Sequence, residues 1–158
     1  SSGHDTIIAS DEDSVLFGGD GGFDRLVGGS GNDLLLSTAM GPGENLAEDD
    51  RMDSLVGSSG SDTFMLINPS EINETLNQIY KVKIEDFNRN EGDRVLLAGY
   101  GDGDEIELSD VNAETNIQQA SIRSDVNTSM TIYFDLSFAR EFDANFALRM
   151  ADFDKVDI

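Results

Sequence analysis

Short apolar runs alternate with Gly- and Asp-rich stretches over segment 1–65 of the chain. Segments 28–36 and 57–65 share one nine-residue pattern: small residues fill the first four places, an Asp takes the sixth, and a large apolar residue takes the eighth. Segment 19–27 repeats the pattern with an acid at its second place. Six residues of turn and three of strand predict a coil of short strands, in which the apolar residue points inward.

Units with fewer glycines precede the three clear ones and fill the interval between the second and the third. The acids at the sixth place are spaced by 8, 11, 9, 11, 9 and 9 residues, and they are Asp5, Asp13, Asp24, Asp33, Glu44, Asp53 and Asp62. Two units close one coil, so turns two units apart are expected to stack on the same side. The two predicted stacks are Asp5, Asp24, Glu44 and Asp62 on one side, and Asp13, Asp33 and Asp53 on the other.

Stacked turns of this kind predict calcium binding. They bring carboxylates and backbone carbonyls together, and Ca²⁺ takes six to eight oxygen ligands at roughly 2.3–2.6 Å. Without metal the stacked carboxylates repel one another, and three-residue strands bury too little surface to offset the loss of chain entropy. We therefore expect the coil to need calcium in order to fold, with roughly three to five ions bound.

The nine-residue pattern ends near residue 66, which divides the chain into a repeat region, 1–66, and a non-repeat, β-rich region, 67–158. Segment 70–80 has apolar residues at helical spacing, so a short helix and an ordered loop are both open there. Alternating apolar residues predict a strand at 80–84. Four further strands are predicted at 105–108, 117–123, 129–135 and 145–150. The tail, 151–158, is acidic and apolar.

Charge and composition narrow the functional classes. The chain has 158 residues, 32 of them acidic and 10 basic, and a formal net charge of −22. No basic stripe is available for nucleic acid or for anionic membranes, whereas hard cations are favoured. With no cysteine, neither disulfides nor thiolate metal sites can form. No apolar run approaches the roughly 20 residues of a membrane span, and the first residues lack the features of a signal peptide. Either the chain is a fragment of a larger protein or its export uses another route.

No catalytic constellation is present, so we do not expect an enzyme. The chain has one histidine and no G-x-S-x-G motif, which argues against a nucleophilic triad. The glycines at 28–31 are not followed by the Lys of a phosphate-binding loop. Segment 102–105 is acidic but lacks the rest of an EF-hand pattern, so a solvated turn is favoured over a further calcium loop.

The repeat resembles the RTX (repeats-in-toxin) family over residues 1 to about 65. The resemblance implies an all-β fold: a right-handed parallel β-roll, followed here by a C-terminal β-rich capping region with one short helix as an option. In that family the turn carbonyls and the sixth-place Asp bind calcium. The metal-binding residues implied here are Asp5, Asp13, Gly19, Gly22, Asp24, Gly29, Gly31, Asp33, Asp53, Ser58, Gly60 and Asp62. Segment 84–97 resembles the segment that commonly follows RTX repeats and caps the roll.

The resemblance also implies secretion by a type I system and calcium-triggered folding outside the cell. We expect a monomeric module at the C-terminal end of a large secreted or surface adhesin of the ice-binding or biofilm type, with 151–158 meeting the secretion machinery. The alternative is a carbohydrate-binding module similar to the RTX-type modules of alginate epimerases. The net charge disfavours a polyuronate ligand unless Lys81, Lys83, Arg89 and Arg94 gather on one face. The tail of an RTX protease or lipase would change the host protein but not the role of this module.

Overall fold

A computed structural model describes residues 3–19, 22–38, 52–68, 79–123, 129–137 and 147–156. In these ranges the chain is almost entirely β-structure, with one 3-10 turn at Met150–Asp152. The strands are β1 Thr6–Ile8, β2 Val15–Phe17, β3 Arg25–Gly29, β4 Leu34–Ser37, β5 Asp53–Ser58, β6 Thr63–Ile67, β7 Ile79–Ile84, β8 Arg94–Ala98, β9 Glu105–Leu108, β10 Ile117–Arg123, β11 Ser129–Asp135 and β12 Phe153–Val156.

The chain coils between two sheets, which confirms the parallel β-roll. Sheet A has the strand order β1-β3-β5-β7-β11-β10-β9, and sheet B has the order β12-β8-β6-β4-β2. Neighbours in sheet B are parallel, as are those in sheet A from β1 to β11. Strand β10 pairs antiparallel with both β9 and β11, which extends the far edge of sheet A.

The apolar residue of each repeat points into the space between the two sheets, as predicted. Leu26, Leu35, Leu55 and Phe64 are buried almost completely, and they stack in register along the roll. The later strands continue the same core with Val82, Ile84, Val95, Leu97, Ile132 and Phe134. One inward side chain per short strand gives a narrow core, so each coil is stabilised mainly through its neighbours.

The number of residues per coil varies, so the predicted assignment of the aspartates to two stacks is wrong. Asp24 lies 19 residues after Asp5, its partner in the coil before, but 29 residues before Asp53, its partner in the coil after. The unit counted at Glu44 lies outside the described residues. Asp53 consequently aligns with Asp24 and Asp62 with Asp33, so these two aspartates exchange the sides that regular counting gave them.

Strands beyond residue 66 extend the same two sheets. Strand β7 pairs with β5 and β8 with β6, and the next strands outward are β11 and β12. The division at residue 66 therefore stays a prediction about sequence pattern. The predicted strands at 80–84, 105–108, 117–123 and 129–135 are confirmed. The expected helix or loop at 70–80 falls outside the described residues, apart from the start of β7.

The strand predicted at 145–150 is wrong where the structure describes it. Residues 147–149 are not in a strand, Met150 begins the 3-10 turn, and the strand forms later, at Phe153–Val156. The Gln118 side chain accepts a hydrogen bond from Leu148 N–H at 2.6 Å, and Asp152 accepts one from Arg149 N–H at 2.7 Å. These side-chain contacts satisfy the backbone that a strand partner would otherwise pair.

Candidate metal centre

The turns that lead from sheet A to sheet B stack along one side of the roll. They comprise residues 9–14, 30–33, 59–62 and 85–93, and the last residue of each precedes a strand of sheet B. Asp33 Oδ1 accepts a hydrogen bond from Ser14 N–H at 2.8 Å, and Asp62 Oδ1 accepts one from Asp33 N–H at 2.9 Å. Asp93 Oδ1 accepts from Asp62 N–H at 2.9 Å. We call Asp33, Asp62 and Asp93 the Asp33 ladder.

A second ladder runs along the opposite side, where turns lead from sheet B to sheet A. Asp24 Oδ1 accepts from Asp5 N–H at 2.9 Å, and Asp53 Oδ1 accepts from Asp24 N–H at 3.0 Å. Asp53 Oδ2 also accepts from the Ser37 hydroxyl at 2.5 Å. In both ladders each carboxylate holds the backbone of the preceding coil, so a single Asp per turn sets the vertical spacing.

The ladder carboxylates are buried beside one another. Asp33 is 2%, Asp62 1% and Asp93 6% exposed. Burial raises the pKa of Asp62 to about 6, and the negative charges of Asp33, Asp86 and Glu91 add to the rise. Burial raises the pKa of Asp93 to about 7, with further contributions from Asp62 and Asp86. Desolvation and like-charge repulsion both disfavour the ionised ladder when no cation is bound.

Burial also raises the pKa of two other carboxyl groups in the turns. For Asp53, desolvation outweighs the hydrogen bonds from Asp24 and Ser37. For Asp86, desolvation outweighs the hydrogen bonds that its two oxygens accept from Gly57 N–H and Ser58 N–H. Ionised carboxylates are therefore disfavoured on both sides of the roll.

For three ladder aspartates, the second carboxylate oxygen packs against the backbone of a glycine five or six residues earlier. A Cβ atom added at any of these glycines would overlap the carboxylate. The distances from such a Cβ are 2.1 Å at Gly18 to Asp24 Oδ2, 2.4 Å at Gly28 to Asp33 Oδ2, and 2.3 Å at Gly57 to Asp62 Oδ2. Gly28 and Gly57, the first residues of the two full repeats, are thus required by the aspartates that follow five places later.

A second set of glycines lets successive turns approach each other. Gly29 has a φ of 115° and Gly60 a φ of 131°, values that L side chains rarely adopt. A Cβ at Gly29 would lie 2.1 Å from Ser10 O, and one at Gly60 would lie 2.0 Å from Gly31 O. Gly22, at a φ of 100°, approaches Gly3 O in the same way. Backbone carbonyls of one turn therefore face the glycines of the next.

These oxygens fit a calcium ion. Asp33 Oδ2 is buried without a hydrogen-bond partner among the described residues. A Cβ on Gly28 would lie 2.4 Å from that oxygen and 2.7 Å from Gly57 O, so a carboxylate and a carbonyl oxygen converge there. Carboxylate and carbonyl oxygens are the ligands that Ca²⁺ takes. Across the described ranges no three acidic or histidine side chains converge as a metal site, so backbone carbonyls would supply most of the remaining ligands.

The predicted site residues divide into those that the ladders contain and those that they do not. Asp5, Asp24 and Asp53 lie in one ladder, Asp33 and Asp62 in the other, and the glycines at 22, 29, 31 and 60 lie at the contacts between turns. Gly19, in a turn, and Ser58, at the end of β5, both have positive φ. Asp13 is exposed and stands one place out of phase, because Ser14 occupies the ladder position. Its Oδ1 accepts from Asn32 N–H instead, at 2.8 Å.

Two acidic residues of the turn between β7 and β8 were missed by sequence reasoning. Asp93 extends the Asp33 ladder by one coil. The two carboxylate oxygens of Asp86 accept hydrogen bonds from the end of β5, at 2.8 Å from Gly57 N–H and 2.7 Å from Ser58 N–H. The available signal was the Gly92-Asp93 pair, which was interpreted only as part of a cap.

Two sheets of mostly parallel strands, joined by stacked Gly–Asp turns, define a β-roll. Residues 1–35 match the family model described as RTX calcium-binding nonapeptide repeat (4 copies). The match confirms the resemblance to the RTX family and calcium as the ligand of these repeats, so the chain contains a calcium-binding RTX module. No curated protein matches the chain. In the described part of the chain, no helix is long and apolar enough to cross a membrane.

Proposed function

We propose that this chain is a calcium-triggered folding module at the C-terminal end of a large type I-secreted adhesin, without catalytic activity of its own. The observation that carries the proposal is the Asp33 ladder. Its three carboxylates are almost fully buried and joined in series through backbone hydrogen bonds. A fold that must bury such carboxylates together is unfavourable at neutral pH until a cation offsets their charge.

Calcium then couples binding to folding. When bound, Ca²⁺ supplies positive charge beside the buried carboxylates of the stacked turns. The chain itself contributes the aligned carboxylates and the glycine contacts that bring successive turns together. Because an ordered site does not exist in the unfolded chain, the free energy of binding contributes directly to the free energy of folding. Low cytosolic calcium would leave the chain unfolded for export, and external calcium would fold it at the cell surface.

The pairing of the tail in sheet B supports an order of events in which the secretion machinery recognises the tail before the roll folds. Residues 153–156 form β12, which pairs in parallel with β8 in sheet B. The same residues fall within the segment that we expect to meet the type I secretion machinery. A strand already paired in the roll cannot be read as an extended signal, so recognition would precede folding. Folding outside the cell would then make export hard to reverse.

The alginate-binding alternative has less support from the placement of its basic residues. Lys81 and Lys83 lie on β7 in sheet A, whereas Arg94 begins β8 in sheet B. Arg89 is bound to Asp152, with Nε 2.6 Å from Oδ1. Three of the four cations are therefore divided between the two sheets and the fourth is engaged by an acid, so the four do not gather on one face for a polyuronate.

Circular dichroism and size-exclusion chromatography test the folding switch. We expect a largely disordered, expanded chain in EGTA and a compact, β-rich monomer in millimolar Ca²⁺. Mg²⁺ at equal concentration is the matched control, since it demands near-octahedral geometry and holds its waters tightly. An equally folded chain in EGTA and in calcium would contradict the proposal. Export of a reporter fused to this chain, in cells with and without a type I transporter, tests the secretion context separately.

A further inference from the structure

The outer face of sheet A carries a groove that the calcium sites do not use. Its volume is about 530 Å³, which lies within the range of small-molecule sites. Four side chains in register across four strands form its floor: Ser54 pairs with Lys83, Lys83 with Tyr133, and Tyr133 with Gln119. We call this cavity the sheet A groove.

A turn between β9 and β10 forms one wall of the sheet A groove. It contributes Asn112 and Thr115 to the lining. Asn112 Oδ1 accepts hydrogen bonds from Glu114 N–H at 2.9 Å and Thr115 N–H at 3.1 Å, and Asn116 N–H donates to Asn112 O at 2.8 Å. Asn116 has a φ of 55°. These local bonds fix the turn, so the wall is preorganised before any ligand arrives.

The electrostatics of the sheet A groove differ from those of the chain as a whole. Among the described residues its lining contains no acid, although the chain carries a net charge of −22. Two acids nearby on the same face are engaged. Glu85 accepts from Arg25 at 3.1 Å and from the Ser54 hydroxyl at 2.7 Å, and Asp135 lies 3.1 Å from Lys83 Nζ. Opposite charges are paired along the floor, so the groove selects for neither a strong anion nor a strong cation.

The chemistry of the lining combines an aromatic surface with amide, hydroxyl and ammonium groups. Tyr133 supplies the ring, and Lys81 Nζ, 5.9 Å from the ring centroid, covers part of it. Gln119 on the floor and Asn112 and Thr115 on the wall supply hydrogen-bond donors and acceptors. A pyranose ring presents an apolar patch of C–H bonds that suits an aromatic surface, and hydroxyls around its edge that suit such polar groups. We propose that the sheet A groove binds a neutral sugar, one or two pyranose rings in size.

The neutral-sugar site is separate from calcium-dependent folding. An experiment that rules out sugar binding therefore leaves the folding function standing. Calcium acts at the turns, whereas the sheet A groove is built on the outer faces of β5, β7, β10 and β11 and on the turn after β9. It also differs from the alginate alternative, because a uronate would bring its own negative charge to a strongly acidic chain. Comparing a neutral sugar with the uronate of the same ring therefore distinguishes the neutral-sugar site from the alginate alternative.

NMR titration of the calcium-loaded, isotope-labelled chain tests the proposal. The probes are methyl glucopyranoside, mannopyranoside and galactopyranoside, each compared with the uronate of the same ring. We expect at least one neutral sugar to shift amide signals of Gln119, Asn112, Thr115 and the neighbours of Tyr133 at millimolar concentration. Its uronate should bind more weakly.

Two substitutions on different strands keep the test independent of folding. Tyr133→Ser and Gln119→Ala should each raise the Kd by about tenfold, since a lost ring contact or amide contact of this kind is worth about 1.4 kcal/mol at most. Ser121→Ala, on β10 one outward position from Gln119, is the matched control and should leave the Kd unchanged. Calcium-dependent circular dichroism verifies the fold of each variant. Absent shifts with every probe, equal or tighter uronate binding, or shifts unaffected by Gln119→Ala would overturn the proposal.

Discussion

Asp62→Asn should have opposite effects on the calcium-free and calcium-bound states. Asp62 is 1% exposed and lies between Asp33 and Asp93 in the Asp33 ladder. Asparagine has nearly the same size and shape, and its Oδ1 can keep the 2.9 Å hydrogen bond from Asp33 N–H. The substitution therefore removes a charge and leaves the packing in place.

The magnitude in the absence of calcium follows from the pKa of Asp62. Its rise from 3.8 to about 6 corresponds to about 3 kcal/mol at 1.36 kcal/mol per pKa unit. Solvent screening at the edge of the turn reduces this figure, so we expect about 1–2 kcal/mol. At pH 8 the variant should stabilise the calcium-free roll by this amount, whereas losing a charged ligand should weaken calcium binding by about tenfold or more.

The two effects are measured separately. Titration with a stabilising osmolyte in EGTA, followed by circular dichroism, gives the stability of the calcium-free fold. Calorimetry gives the calcium affinity. Asp110→Asn, which removes one charge at an exposed position, corrects for the change in net charge alone. A variant that is less stable without calcium, or that binds calcium as tightly as the parent, would refute the electrostatic role of the Asp33 ladder.

Three further predictions concern glycine, pH and the tail. Gly57→Ala should raise the calcium concentration needed for folding, because its Cβ would lie 2.3 Å from Asp62 Oδ2, whereas Gly101→Ala meets nothing within 4 Å and should be neutral in the same titration. Acidification from pH 8 to 5 should stabilise the calcium-free roll and weaken calcium binding, because the pKa of Asp93 is raised to about 7 and protonation favours the folded state. Osmolyte titrations at several pH values measure the stability, and calorimetry measures the calcium affinity. Arg89→Gln removes the cation that pairs with the buried Asp152 and should lower the free energy of unfolding by about 2–3 kcal/mol. Hydrogen exchange should accelerate more in β12 than in β3, and an equal increase in both strands would contradict this prediction.

The inward residues and the turn aspartates could be predicted because they depend on local geometry. A strand of three residues turns one side chain inward whatever its neighbours do, so Leu26, Leu35 and Leu55 follow from alternation alone. The need for Gly28 before Asp33 has the same local origin, since the carboxylate folds back on its own turn. The sequence pattern showed this glycine without explaining it.

The stacking of the turns could not be predicted by counting. The spacing of nine from Asp53 to Asp62 is regular, but the hydrogen bond from Asp24 N–H to Asp53 closes one coil of 29 residues. Register is set by contacts between coils, and Asp24 makes the same contact with Asp53 as Asp5 makes with Asp24, although the first pair is ten residues further apart in sequence. A count of units cannot distinguish an additional pair of strands from a longer turn, so Asp53 and Asp62 were assigned to the wrong sides.

The ladder, rather than the nine-residue pattern, is the constant geometric element of this roll along its length. The Oδ1-to-N distances stay between 2.8 and 3.0 Å although successive aspartates are 19, 29 or 31 residues apart. Asp93 joins the ladder from a turn that has Gly92 but none of the other repeat glycines. The Asp before β8 therefore aligns its coil with the preceding one without the other repeat glycines, and the glycines are needed where turns touch closely. Since Asp93 lies in the non-repeat region, the electrostatic cost that calcium offsets extends beyond the recognisable repeats, and the strands on both sides of residue 66 should fold together.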